Sequence, residues 1–176
     1  MRSKGVAPKG QRPVAPTSGF LNGQRVSALV AVDYGGIVAV ETIDTKEHSV
    51  TSDVFQAFLE ASVLSQMQPF PNPRSVLILD NSRVHDRVKI NCACASKEII
   101  VLWLPAYSCD FSPIELVFNN AKRVLKERFG RKPNGLSLAD MFSTAIYTCL
   151  TPEQTCSTFE HCLKLKVTDE ERAAVV

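Results

Sequence analysis

Residues 75–81 have the sequence SVLILDN, and residues 99–105 have the sequence IIVLWLP. Each stretch is a short, uninterrupted apolar run that ends at a strand-terminating residue, Asp80 in the first and Pro105 in the second. Runs of this length are typical of strands that are buried on both faces. A short helix is predicted between them, over residues 83–94. Strand, helix and strand in this order predict an α/β domain whose sheet is at least partly parallel.

The segment upstream predicts a β-hairpin and a helix. Residues 25–33 (RVSALVAVD) and 37–43 (IVAVETI) are β-branched, apolar runs, and the intervening Tyr34-Gly35-Gly36 is a turn signal. Residues 52–66 then have apolar side chains at helical spacing, which predicts a helix beginning near Ser52. Three prolines between residues 69 and 73 break the chain after it.

The segment downstream predicts helices. A loop over residues 106–112 (AYSCDFS) leads to Pro113, a residue suited to the first turn of a helix. That helix is expected to end at Gly130. Two further helices, over residues 136–150 and 151–165, complete the predicted fold, with no internal repeat and no second domain.

Composition favours a single globular domain with a polyanionic partner. The chain has 176 residues and no apolar run near the roughly 18 residues that a membrane span needs. Residues 1–32 contain five basic residues and no acid, and residues 122–132 contain six basic residues and one acid. Two such patches favour DNA binding, although a solvated helix face and a solubilising tail explain them equally well. The candidate DNA-binding residues are Lys122, Arg123, Lys126, Arg128, Arg131 and Lys132.

The six cysteines do not have the paired spacing of a zinc site. Because the chain begins without an apolar signal-peptide core, these cysteines are expected to be reduced thiols.

Two acids have positions that suggest chemistry. Asp80 follows a predicted buried strand, which places it at the crevice where α/β sheets bind ligands. Its alternative role is to start a turn or cap a helix. Glu115 is in the first turn of the helix that begins at Pro113, where an acid also stabilises the helix dipole.

The stretch LPAYSCDFSPIE (residues 104–115) resembles the "L-P-P-Y-S-P-D-L-N-P-I-E" signature of mariner-like DDE transposases and their bacterial insertion-sequence relatives. The positions that agree are Leu104, Pro105, Tyr107, Ser108, Asp110, Pro113, Ile114 and Glu115. The family's "L-D-N-x-x-x-H" block is similar to the segment containing Leu79, Asp80, Asn81 and His85. In addition, 34 residues separate Asp80 from Glu115, as in the mariner-like branch whose third acid is glutamate.

The resemblance implies an RNase H-like α/β fold, a mixed sheet flanked by helices. It implies DNA cleavage and strand transfer that use two divalent ions, Mg²⁺ or Mn²⁺, held by three carboxylates. By the same resemblance Asp80 is the second carboxylate and Glu115 the third, with Asn81 and His85 supporting them. The implied partners are transposon-end and target DNA and other copies of the protein, with no membrane. The implied location is the nucleus in a eukaryote and otherwise the cytoplasm.

The family's first carboxylate lies on the first, central strand, and it has no counterpart here. Residues 1–24 contain no acid, and Asp33 matches the turn of the hairpin. We therefore expect a basic arm (1–24), a DDE catalytic domain without its first strand (25–130) and a C-terminal helical extension (131–176). Such an N-terminally truncated chain is expected to be inactive. The alternative is a non-catalytic DNA-binding protein or a decayed or domesticated transposon relic. Cys109 and Ser112, which replace the family's proline and asparagine, are expected to loosen the loop before Glu115.

Overall fold

The computed structural model describes residues 25–44, 49–106, 108, 111–128 and 136–163. This part of the chain alternates strands and helices as a mixed α/β fold, consistent with an RNase H-like architecture. The strands are β1 (Val26–Asp33), β2 (Gly36–Asp44), β3 (Val76–Leu79) and β4 (Ile100–Trp103). The helices are α1 (Ser52–Phe58), α2 (Arg87–Ala95), α3 (Pro113–Arg128), α4 (Leu138–Cys149) and α5 (Pro152–Leu163).

Strands β1 and β2 form the predicted antiparallel hairpin. Val30 lies opposite Val40, and the register shifts by one residue between Ala31 and Val32. The Asp33 side chain accepts a hydrogen bond of 2.9 Å from the Gly35 amide, which holds the turn. Asp33 also forms an ion pair with Arg74, so its carboxylate is already engaged in the turn.

Strands β3 and β4 form the predicted parallel pair, in which Leu79 lies opposite Trp103. Helix α2 connects them and begins later than predicted, at Arg87. The reason is local. Asp86 is the N-cap, and its side chain accepts hydrogen bonds from the amides of Val88 and Lys89.

The helix predicted over residues 52–66 is not a uniform α-helix. Thr51 caps its start by accepting a hydrogen bond of 3.3 Å from the Val54 amide. After Phe58 the chain widens into a π-helical segment, Leu59–Val63, and the Leu64 amide bonds the Leu59 carbonyl at 2.8 Å. The extra residue per turn shifts the later side chains around the axis, and Leu59, Val63 and Leu64 are all buried.

One layer of helices packs under both pairs of strands. Its core joins residues of α1, the π-helical segment and α2 with one face of each pair. The hairpin contributes Leu29, Ala31 and Ala39, and the parallel pair contributes Leu77, Leu79, Val101 and Trp103. The two pairs of strands therefore pack on the same core, which we call the shared floor.

The second layer of helices covers the opposite face of the hairpin. Val117 and Ala121 of α3 and Ile146 of α4 are fully buried there. They pack against hairpin residues that alternate with those of the first core, namely Ala28, Val30, Val32, Ile37 and Val40. Helix α4 continues this packing through Met141 and Ala145 against α3.

The expectation that β3 and β4 are buried on both faces is wrong for this structure. The side chains of Val76, Ile78, Ile100 and Leu102 are between 38% and 50% exposed, and they lie on one face. No helix of the described ranges covers that face, because α3, α4 and α5 pack on the hairpin. The apolar composition correctly predicted that these segments are strands, but it did not predict that one face of the pair is exposed.

The two pairs of strands are separate sheets in the described residues. Each of the four strands therefore has one edge without a strand partner in this part of the chain. Among the same residues, the helices are too short or too polar to cross a bilayer.

Candidate metal centre

Asp80 follows directly after β3, and one of its two carboxylate oxygens is held in place. Oδ1 accepts a hydrogen bond of 3.1 Å from the Ser82 amide and lies 3.0 Å from Nδ1 of His85. Oδ2 has no hydrogen-bond partner among the residues that the structure describes, and the side chain is 58% exposed. The bond to the Ser82 amide is the turn contact that the alternative role of Asp80 predicts. The open Oδ2 is in addition an oxygen donor of the kind that a hard cation binds.

Asn81 ties the ends of the two parallel strands together. Its side-chain Nδ2 donates a hydrogen bond of 2.8 Å to the carbonyl of Leu104, the residue after β4. The Leu104 amide in turn bonds the Leu79 carbonyl at 2.8 Å. Because Leu104 begins the segment that leads to α3, Asn81 connects the loop of Asp80 with the segment of Glu115.

His85 packs behind the Asp80 carboxylate. Its Nδ1 lies 3.1 Å from the Asp80 carbonyl oxygen as well as near Oδ1, and its ring centroid is 4.2 Å from that of Phe55 in α1. The side chain is only 14% exposed. His85 therefore orients Asp80 from one side while Phe55 fixes the imidazole ring.

Glu115 lies in the first turn of α3, as predicted, and its side chain is exposed. Its amide bonds the Ser112 carbonyl at 3.3 Å, which starts the helix. No hydrogen bond or ion pair joins Glu115 to Asp80, Asn81 or His85. Within the described ranges no three acidic, histidine or cysteine side chains form a metal-binding group. Asp80 and Glu115 thus supply oxygen donors of the right kind, but the described residues do not bring Glu115 into one metal-binding group with Asp80 and His85.

The predicted DNA-binding residues of α3 are all exposed but lie on two faces. Lys122 and Lys126 follow Glu115 by seven and eleven residues, and at about 100° per residue this brings all three to within about 20° of one face. Arg123 and Arg128 instead line a groove of ≈ 490 Å³ between α3, α4 and α5. There Arg128 donates a hydrogen bond of 3.3 Å to Thr148.

Several motif residues lie outside the described part of the chain. They are Tyr107, Cys109, Asp110, Arg131 and Lys132, together with the arm of residues 1–24 and the helix end predicted at Gly130.

A family model described as "DDE superfamily endonuclease" matches residues 1–134. The chain belongs to this superfamily. Comparison with curated proteins and with solved structures returned no match. Endonucleases of the DDE superfamily are generally dependent on divalent metal and act on DNA, so transposase-type DNA cleavage is the activity of the family. The match spans both Asp80 and Glu115 and most of the fold described above.

Sequence reasoning missed a group of side chains behind Asn81 in this DDE domain. Arg87 donates a hydrogen bond to Oδ1 of Asn81, and its guanidinium carbon lies 4.7 Å from the centroid of the Trp103 ring. The Trp103 indole Nε1 donates to Oδ1 of Asn91 at 3.2 Å. The one signal for this group in the sequence was Trp103 at the end of a predicted strand. In the structure Trp103 lies opposite Leu79, the residue before Asp80.

Proposed function

We propose that this chain supplies two carboxylates, Asp80 and Glu115, to the divalent-metal site of a DDE transposase that cleaves and joins DNA. The single observation that carries the proposal is the Asp80 carboxylate, anchored through Oδ1 and open at Oδ2 at the end of a parallel strand. Glu115 lies in the first turn of α3, the helix that follows β4 in the chain, as in the mariner-like motif.

The donor chemistry fits Mg²⁺ or Mn²⁺, because both ions prefer carboxylate oxygens. Asp80 and Glu115 would hold these ions, which, when bound, stabilise the attacking and leaving oxygens of an in-line displacement at phosphorus. His85 and the Ser82 amide hold Oδ1 of Asp80, which leaves Oδ2 oriented outward. Asn81 keeps the Asp80 loop against the segment that leads to Glu115.

The proposal includes a structural element that the described residues do not contain, a strand that carries the first carboxylate. In the RNase H-like sheet this strand pairs with counterparts of β1 and β3, and both have an edge without a strand partner in the described ranges. The first acid in the sequence, Asp33, is engaged by Gly35 and Arg74. We therefore expect this chain to bind metal more weakly than a site of three carboxylates would and not to cleave DNA, and we expect several copies of the protein to assemble on transposon ends. Because transposition acts on chromosomal DNA, we expect the protein in the nucleus of a eukaryote or in the cytoplasm of a bacterium.

Metal binding tests the proposal without requiring cleavage. The 176-residue chain is titrated with Mn²⁺, and the free ion is followed by electron paramagnetic resonance. D80N and E115Q should each weaken binding by about tenfold or more, since each removes a charged ligand. Glu153 is a matched control because it is also an acid in the first turn of a helix that begins with proline. Binding that is equal in D80N and wild type would remove the basis of the proposal.

DNA binding tests the role of the α3 face that Glu115 shares with Lys122 and Lys126. The double variant K122Q/K126Q should lower affinity for duplex DNA and reduce the slope of log K against log salt by about two, since each lysine that contacts a phosphate contributes about one. The control is K89Q/K97Q, which removes the same charge from two exposed lysines, one in α2 and one just after it, with the ion pair of Lys89 and Asp53 lost as well. An equal loss in the control would indicate attraction by net charge alone.

The second candidate function is DNA binding without catalysis, which the exposed basic residues of α3 favour. It predicts salt-dependent binding that is unchanged by D80N and E115Q, with no metal site. The Mn²⁺ titration separates the two functions, because only the transposase proposal requires those two carboxylates to hold an ion.

A further inference from the structure

The residues around Asn81 form a connected set outside the carboxylates. We call Asn81, Arg87, Asn91 and Trp103 the Arg87 brace. Its members come from three elements: the loop after β3, helix α2 and the last residue of β4. The contacts run in sequence from Asn91 to the Trp103 indole, from the Trp103 ring to Arg87, and from Arg87 to Asn81.

Each contact in the brace restricts the orientation of the next side chain. The hydrogen bond of 3.2 Å to Asn91 fixes the rotation of the Trp103 ring. The ring face then supports the planar guanidinium of Arg87 through a cation–π contact at 4.7 Å. Arg87 in turn donates to Oδ1 of Asn81, which leaves Nδ2 of that amide directed at the Leu104 carbonyl. Arg87 thereby fixes which way the Asn81 amide faces.

The position of Arg87 is also set by its own helix. Asp86 caps α2 by accepting hydrogen bonds from two amides, and Arg87 is the first residue of the helix. A residue there has its backbone held while its side chain extends back toward the end of β3. Arg83, four residues earlier, is an exposed arginine near the same loop, and no hydrogen bond or ion pair of its side chain occurs among the described residues.

We propose that Arg87 is a positioning residue for the metal site, a role that rests on the proposed function. Asn81 is adjacent to Asp80 in sequence, and its partner Leu104 begins the segment that ends at Glu115. By fixing Asn81, Arg87 holds the loop that carries Asp80 against Leu104, the residue after β4. Its own charge opposes cation binding, so its contribution to metal affinity is geometric and outweighs an unfavourable electrostatic effect.

The sign of the effect distinguishes positioning from electrostatics. Removing a positive charge near two carboxylates strengthens cation binding if charge alone matters. If the brace matters, removing Arg87 weakens binding, by about tenfold for a group that orients a metal ligand. R87K keeps the charge but lacks the planar fork that both stacks and donates, so it should lose most of the same affinity.

The experiment uses Trp103, the single tryptophan of the chain, as its reporter. The 176-residue chain is titrated with Tb³⁺, an oxygen-seeking ion whose emission is sensitised by a nearby indole. Wild type, R87M, R87K, R83M and D80N are compared, with circular dichroism melts to establish that each is folded. R87M and R87K should bind Tb³⁺ about tenfold more weakly than wild type, R83M should bind equally or more tightly, and D80N should lose the signal.

The emission of Trp103 without metal provides an independent signature. R87M should shift or change the intensity of this emission because the guanidinium no longer covers the ring, and R83M should leave it unchanged. An unchanged spectrum in R87M overturns the inference, as does Tb³⁺ affinity in R87M or R87K equal to or above that of wild type. Absence of sensitised emission in wild type, or its persistence in D80N, overturns the proposed function and this inference with it.

Discussion

The antiparallel hairpin is covered by helices on both faces, whereas the parallel pair is covered on one face only. This is the reverse of what is usual for antiparallel and parallel strands. Antiparallel sheets commonly face water on one side, whereas parallel strands are usually buried on both. Here β1 and β2 have helices on both faces, and β3 and β4 have helices on one. Four apolar side chains of the parallel pair, Val76, Ile78, Ile100 and Leu102, face outward instead.

This difference shows which part of the domain the described residues leave uncovered. The hairpin and its helices form a core with fully buried residues such as Val117 and Ile146. The parallel pair carries Asp80 and depends on the shared floor for its only apolar cover in the described ranges. Glu115 lies on α3, which packs against the hairpin. The two carboxylates therefore come from two regions, one covered by helices on both faces and one covered on a single face. Metal binding is therefore expected to depend on whatever completes the parallel pair.

The largest expected effect is a contrast between two isoleucines. I146A removes a fully buried side chain of α4 that packs against the hairpin. It should lower the free energy of unfolding by about 2–5 kcal/mol. I78A removes a side chain on the outer face of β3 that is 39% exposed and should cost about 1 kcal/mol or less. Urea unfolding followed by circular dichroism measures both. Equal costs would mean that the outer face of the parallel pair is covered.

A smaller effect is expected from the ion pair that joins the hairpin turn to the segment before β3. R74M removes the partner of Asp33 and should lower the unfolding free energy by about 1 kcal/mol or less, because both side chains are partly exposed. R83M is the matched control, with the same change of residue type and no ion pair to lose among the described residues. A loss of several kcal/mol in R74M alone would mean that this contact, rather than the shared floor, joins the two regions.

The smallest perturbation is a chemical one at α2, under the parallel pair. Cys92 is exposed and Cys94 is buried, and burial raises the pKa of the Cys94 thiol from 9.0 to about 11. At pH 8 iodoacetamide should modify Cys92 and spare Cys94, as peptide mass spectrometry would show. Since the folded protein retains this proton, the associated stability is present below pH 9 and is lost as the pH rises toward 11. Equal modification of both thiols at pH 8 would mean that the floor under β3 and β4 opens readily.

Local sequence patterns predicted most elements because their causes are local. The hairpin, the parallel pair and helix α3 all occur where the apolar runs, the turn signal and Pro113 predicted them. The start of α2 moved to Arg87 because one capping residue, Asp86, decides it. The π-helical turn at Leu59–Val63 had no such signal, since widening the helix depends on how its side chains meet the strands below.

The sequence proposes the residues of the candidate site but not their surroundings. Asp80 and Glu115 were predicted from a motif with fixed spacing, and Asn81 and His85 make the contacts described above. The roles of these four residues at a metal ion stay predictions. The division of the basic residues of α3 between two faces depends on where α4 and α5 pack. The brace at Arg87 depends on Trp103, which is sixteen residues away in sequence.

The sequence by itself determined the order of strands and helices and the family, and it predicted the two carboxylates. These depend on periodicity, capping and short motifs, which act over a few residues. Only the tertiary structure decided that the parallel pair is covered on one face, that Asp33 is engaged in a turn, and that Arg87 stacks on Trp103. The reason is that burial and side-chain contacts depend on segments distant in the chain, whose mutual positions no local pattern encodes.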